Sequence, residues 1–189
     1  AYNNQSWTVI PAYRYSRELT PLTGKRMGEL FHEAGIPEDI LQVVQGRGDV
    51  GASIVDNQKI DMICFTGSIE VGRKIALACA KKLKPVILEL GGKDPMIVLE
   101  DANLKRAAGA AVWGGFSNCG QTCISTERVY VVEDVAEKFI SLVKNKTEAL
   151  NTGPDKTASD IGALINEQQQ KTVLAHIKEA VANGAKILS

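Results

Sequence analysis

The chain has 189 residues, enough for one or two compact domains, with 44% apolar and 23% charged residues, an ordinary globular balance. Its 22 basic and 22 acidic residues cancel, which removes the electrostatic reason to expect nucleic acid or an anionic membrane as partner. No apolar run approaches the roughly 20 residues that span a bilayer, and no basic, apolar, small-residue signal opens the chain.

Four cysteines, Cys64, Cys79, Cys119 and Cys123, form no CxxC pair. With only His32 and His176 as imidazoles, no metal spacing appears. Unpaired thiols suit a reducing, cytoplasmic compartment. Cys64, in an apolar strand-like run, and Cys79, on a helix face, read as buried thiols.

Thr20-Pro21 opens a helix, with Met27, Leu30, Phe31 and Ala34 on one face and Gly35 and Pro37 as its stop. Leu41 to Val44 reads as a short strand before Gly46-Arg47-Gly48, and Ala52 to Val55 as a short helix. Met62 to Phe65 is a buried strand, followed by Thr66-Gly67-Ser68 and a helix through Val71, Ile75, Ala78 and Cys79. Lys81, Lys82 and Lys84 suit that helix's C-terminal end. Val86 to Leu88 is the next strand. Strands alternating with helices of this length mean βαβ units and a parallel sheet.

The Gly91-Gly92 break permits a tight change of direction, and a domain boundary is expected there. Met96 to Leu99 is a strand, Leu104 to Trp113 a helix and Arg128 to Val132 a strand. Asp134 caps a helix carrying Phe139, Ile140, Val143 and Leu150. Asn166 begins another, carrying Val173, Leu174, Ile177, Ala180 and Val181 and ending at Gly184. No internal repeat or low-complexity tract is present.

Three motifs carry chemistry. Phe65-Thr66-Gly67-Ser68 lies between a strand and a helix, where free N–H groups favour a phosphate and Gly67 allows close approach. Ser68 caps the helix or donates to a phosphate oxygen. Its GxxxxG spacing, Gly67 to Gly72, is not the GxGxxG dinucleotide fingerprint. Glu89, in Leu88-Glu89-Leu90-Gly91-Gly92-Lys93, ends an apolar strand; solvated, it is a plain surface group, and desolvated in a cleft it becomes a base. Cys119-Gly120-Gln121-Thr122-Cys123 places thiols on a turn, where a thiolate attacks carbonyl carbon and nearby N–H groups stabilise an oxyanion. On a helix, Cys119 and Cys123 would share a face, allowing a reversible disulfide.

In this order, FTGS, LELGGK and GQTC resemble the aldehyde dehydrogenase superfamily. The resemblance runs from Thr20 to Ser189 and includes Glu33 to Pro37, Asp94-Pro95 and Glu127 to Val131. It implies an α/β fold: part of a doubly wound parallel-sheet cofactor domain over 1–91, followed by part of an α/β catalytic domain over 92–189. It makes Cys123 the nucleophile, Cys119 a non-catalytic neighbour and Glu89 the general base. Gly67 and Ser68 fall at the pyrophosphate, with Gly72 completing the turn, and Gly48 and Leu90 also fall among cofactor-binding positions. The implied reaction is NAD(P)-dependent oxidation of an aldehyde to an acid through a cysteine thiohemiacetal and thioester. Glu89 speaks against the CoA-acylating branch.

The family commonly has Lys-Pro-Ser-Glu where this chain has Tyr15-Ser16-Arg17-Glu18. Glu18 matches the glutamate that bonds the adenosine ribose, which leans to NAD over NADP; Tyr15 replaces the lysine. Residues 1–17 resemble the family poorly. The resemblance also implies a subunit more than twice this length that assembles as a homo-oligomer. The oxyanion-hole asparagine is expected before Ala1 and a nicotinamide-ribose segment after Ser189. The alternative is a non-catalytic fragment or pseudoenzyme that keeps fold and self-association.

Overall fold

The computed structural model describes residues 12–154 and 159–189. Of the atypical segment 1–17, only its last six residues therefore lie within the description. The chain is α/β and divides into two compact units, one ending at Glu89 and the next starting at Leu90.

In the first unit, β1 (Ala12–Arg17) and β2 (Leu41–Gly46) pair in parallel, with Tyr15 opposite Val44 and Ser16 opposite Gln45. Helix α1 (Pro21–Glu33) connects them as the crossover that parallel strands require. No strand is expected over Ala12–Arg17 from the sequence; there β1 pairs in parallel with β2. On α1 the buried positions are Gly24 and Gly28, whereas Leu30 and Phe31 of the expected apolar face are exposed. A Cβ on Gly24 would come within 2.5 Å of Ser16 Oγ, and one on Gly28 within 2.7 Å of Val43 Cγ2. Close approach of helix to strand thus selects the glycine stripe over the larger side chains. Thr20 occupies the cap position, but its side chain makes no capping bond.

The unit continues with α2 (Gly48–Asp56), β3 (Ile63–Gly67), α3 (Ile69–Lys81) and β4 (Val86–Leu90), β3 and β4 being hydrogen-bonded neighbours. Val55, Ile63 and Cys79 form the core here, with Phe65, Ile75 and Val86 packed around it. Cys64 is exposed, against expectation. The pleat sends Ile63 and Phe65 to the covered face and Cys64 to the other. Lys82 and Lys84 also depart from their expected role. Lys84 Nζ donates to the carbonyls of Val55 and Asn57, each at 2.9 Å, and Lys82 pairs with Asp56. They therefore serve the C-terminal end of α2 rather than that of their own helix.

In the second unit, β5 (Asp94–Val98) and β6 (Thr126–Val131) pair in parallel, with a register shift between Asp94 and Pro95. Helix α4 (Leu104–Phe116) lies between them in sequence, and α5 (Glu133–Glu148) packs against α4. Val98, Ala108, Ala111 and Phe139 make this core. Small alanines on α4 let α5 approach closely. Asp134 is not the cap of α5: Val132 is, and Asp134 stands with Glu133 in the first turn, where a carboxylate meets the helix dipole. Helix α6 (Glu167–Ala182) starts at Asn166, whose side chain accepts from Gln169 N at 2.8 Å. Gly184 follows its end at φ +94°, the expected glycine stop.

Candidate active site

The segment from Ser117 to Ser125 joins α4 to β6 and presents Cys123. It opens with a 3-10 turn, Ser117–Gly120, in which Asn118 and Cys119 take left-handed φ values of 53° and 59°. Such angles are unfavourable for non-glycine residues and persist where surroundings enforce them. Two short-range bonds and one long-range bond hold them. Asn118 Nδ2 donates to the Gln121 carbonyl at 3.1 Å, and Gln121 N donates to the Asn118 carbonyl at 3.1 Å. Cys119 Sγ donates to the Gly162 carbonyl at 3.3 Å, tying the turn to the loop before α6. Gly120 sits at φ +71°, and a Cβ there would also meet the Gly115 carbonyl oxygen at 2.9 Å. The far end is fixed by Ser125, which is buried and whose Oγ donates to the Gly114 carbonyl at 2.9 Å.

Cys123 is exposed and Cys119 half-buried, both as free thiols. They do not lie on a helix, so the condition under which they would share a face does not hold: Asn118 and Cys119 take left-handed angles and no helix runs through Cys123. A third strand of contacts comes from the chain entering β5. A Cβ on Gly92 would stand 2.6 Å from Asp94 Oδ2 and 2.8 Å from the Cys123 carbonyl oxygen. Lys93 pairs with Glu127, and Arg128 Nε donates to the Lys93 carbonyl at 2.9 Å. The Gly92–Asp94 segment is thereby fastened to the stretch from Cys123 to Arg128. Sequence reasoning missed Gly92, Asp94 and Ser125 as residues that frame the thiol. Only the glycine hinted at it.

The other site residues lie in the first unit or at its edge. Glu89 is exposed on β4, and Leu90, half-buried, ends that strand. Gly67 closes β3; a Cβ there would overlap the Phe65 ring. Ser68 caps α3, its Oγ accepting from Val71 N at 3.3 Å and its carbonyl accepting from Gly72 N at 2.9 Å. The N–H groups of Ile69 and Glu70 then remain outside the helix's own bonding. Gly72 lies inside α3 and is buried. Glu70, in the first turn, is paired with Lys74 at 2.6 Å, and that ammonium holds its carboxyl below the usual range. Gly48 is the first residue of α2, with open space where a Cβ would stand.

Glu18 is exposed just past β1. Tyr15, in the place of the expected lysine, aims its hydroxyl at the carbonyls of Gly46 and Arg47, 2.8 and 2.7 Å away. Its single proton serves one of them at a time. A Cβ on Gly51 would touch the Tyr15 ring at 3.4 Å. No helix among the described residues is long and apolar enough to cross a membrane.

Residues 15–189 match the Aldehyde dehydrogenase family. The chain belongs to that family. A betaine aldehyde dehydrogenase of Cereibacter sphaeroides is 38% identical over 190 residues, covering 96% of this chain and 39% of the relative. The solved NAD-dependent aldehyde dehydrogenase from Sinorhizobium meliloti superposes with a TM-score of 0.91 at 35% identity, over 95% of this chain and 36% of that one. A Mycobacterium tuberculosis aldehyde dehydrogenase complexed with NAD+ gives 0.91 at 37% identity, over 95% and 37%. The chain thus spans well under half the length of these relatives.

Proposed function

We propose that this chain carries the nucleophile, the base and part of the cofactor site of an NAD-dependent, non-acylating aldehyde dehydrogenase, with NADP as the alternative cofactor. On this reading, 1–91 belong to the dinucleotide-binding domain and 92–189 to the catalytic domain. The observation that carries it is the exposed Cys123 thiol at the end of a strained, fastened turn in a chain of this family.

Cys123 as thiolate attacks the aldehyde carbon and forms a thiohemiacetal. Backbone N–H groups near the thiol would stabilise the developing oxyanion. A nicotinamide cofactor would supply the hydride acceptor, and Cys123 would then carry the acyl group as a thioester. Glu89 takes a proton from water, whose oxygen attacks the thioester carbon; the carboxylic acid leaves and the thiol is restored. Gly67, Ser68 and the free N–H groups of Ile69 and Glu70 are assigned to the pyrophosphate, since this helix start leaves donors for an anion. Lys74 offsets the Glu70 charge there. Gly48 and Glu18 would face the rest of the nucleotide, and Leu90 the nicotinamide end. The substrate is a small aldehyde, and the complete subunit a homo-oligomer.

The test replaces the matching segment of the Cereibacter sphaeroides enzyme with this chain and follows NADH formation from betaine aldehyde. Turnover is expected, to vanish in Cys123→Ala. Glu89→Gln is expected to slow thioester hydrolysis by at least about tenfold while leaving the first burst of NADH in place. Turnover retained without Cys123 would refute the reading.

A further inference from the structure

The segment from Ser117 to Ser125 leaves the end of α4 and returns to it. The carbonyls of the last four residues of α4, Trp113 to Phe116, lie beyond the helix's own ladder, as at any helix end. Two of them accept from serines at the two ends of the segment. Ser117 donates to the Trp113 carbonyl through both its Oγ and its backbone N–H, and Ser125 Oγ donates to the Gly114 carbonyl at 2.9 Å. The helix end lets the chain come this close because it carries glycines. A Cβ on Gly114 would overlap Thr126 Oγ1, next to Ser125.

Cys123 stands two residues before the second of these anchors. Ser125 N donates to the Thr122 carbonyl at 3.0 Å, which closes a β-turn with Cys123 and Ile124 as its central residues. Thr122, Cys123 and Ile124 are all exposed, whereas Ser125 is 2% exposed. Ser125 therefore supplies both the backbone bond that closes the turn and the one buried foot on which the turn stands. A hydroxyl withdrawn from water in this way is costly to leave unpaired, so its bond to Gly114 is strongly held.

We propose that Ser125 is a positioning residue for Cys123: its hydroxyl fastens the β-turn that carries the thiol to the C-terminal end of α4. The kinetic consequence rests on the reading of Cys123 as nucleophile; the clamp itself does not. A nucleophile on an exposed turn depends on a fixed base, because a misplacement of about 1 Å costs on the order of a hundredfold in rate.

The clamp is tested in the 189-residue chain by hydrogen exchange read by mass spectrometry. Ser125→Ala removes the hydroxyl and keeps the backbone. Exchange over 121–126 is expected to speed roughly tenfold, while the core around Val98, Ala108 and Phe139 keeps its rate. Ser125→Thr, which retains a hydroxyl, is expected to stay near the parent. The consequence is tested in the chimaera with the Cereibacter sphaeroides enzyme. There Ser125→Ala is expected to lower kcat roughly ten- to a hundredfold, to leave the KM for NAD unchanged, and to be rescued by Ser125→Thr. Unchanged exchange over 121–126, or exchange that speeds equally throughout the unit with kcat of the folded protein intact, overturns the proposal, since a merely structural hydroxyl would behave so. Loss of the fold in Ser125→Ala, or a Ser125→Thr variant that behaves like it, overturns it too. Turnover without Cys123 would remove the proposed reaction, and the exchange result in the 189-residue chain would still decide the clamp.

Discussion

Gly92 is the tightest point around the candidate nucleophile. One of the two atoms that its Cβ would meet is the end of a side chain, Asp94 Oδ2, which can swing aside. The other is the backbone oxygen of Cys123 at 2.8 Å, which cannot move without moving the cysteine. Gly92→Ala is therefore expected to lose about 1–3 kcal/mol, the ordinary cost of overpacking, and to change the alkylation rate of Cys123. Gly91→Ala is the control, because nothing lies within 4 Å of its Cβ position. Urea melts of both variants decide the matter; equal midpoints would show that the approach is soft. This close contact was not legible in the sequence. Cys123 and Glu89 were marked by their motifs, but nothing in Gly-Gly-Lys-Asp says which glycine is there for space. Nor does it say that Asp94 and the Cys123 carbonyl both close on Gly92.

At the scale of elements, boundaries with local chemistry were readable and those set by tertiary contact were not. Asn166 and Gly184 bracket α6 as their side-chain chemistry dictates. The buried stripe of α1 and the strand β1 depend on partners far along the chain, so periodicity pointed to Leu30 and Phe31 instead of Gly24 and Gly28. The end of α3 gives a prediction of the same kind. Leu83 takes φ +53° and is 92% exposed, so it bears left-handed strain without burying its side chain. The strain is about 1–2 kcal/mol, and glycine gives back about 0.5–1 through unfolded-state freedom. Leu83→Gly should therefore raise stability by roughly 0.5–1 kcal/mol. Its urea midpoint should rise; a fall would mean that the turn needs the leucine. The Glu70–Lys74 pair at the other end of α3 behaves oppositely with acid. Its carboxyl is held low, so what the pair contributes is complete above the ordinary carboxylate range and is lost as pH falls through the lowered value. Both groups are exposed, so that contribution is small and salt removes it.

At the scale of the whole chain, the apolar surface left uncovered governs behaviour in solution. In the second unit, Ile97 and Tyr130 are cross-strand partners in the two-stranded sheet and are 68% and 54% exposed. On α6, Leu174, Ile177 and Val181 fall on one face by helical spacing, and all are exposed. Contiguous apolar surface and short open sheets invite association with further protein. The family relatives, with more than twice this length, have more chain with which to cover such faces. The isolated 189-residue chain is therefore expected to bind a hydrophobic dye and to sediment as concentration-dependent oligomers at micromolar levels. Leu174→Glu with Ile177→Glu should lower both signals. The thiol is held by α4, β5 and β6, while these two side chains lie on α6, so the pair of substitutions should leave Cys123 alkylation unchanged. A chain that stays monomeric and dye-free at about 100 μM would show that these faces are not adhesive. If alkylation of Cys123 changed together with association, the nucleophile would depend on the same surface, and self-association and thiol reactivity would be one property rather than two.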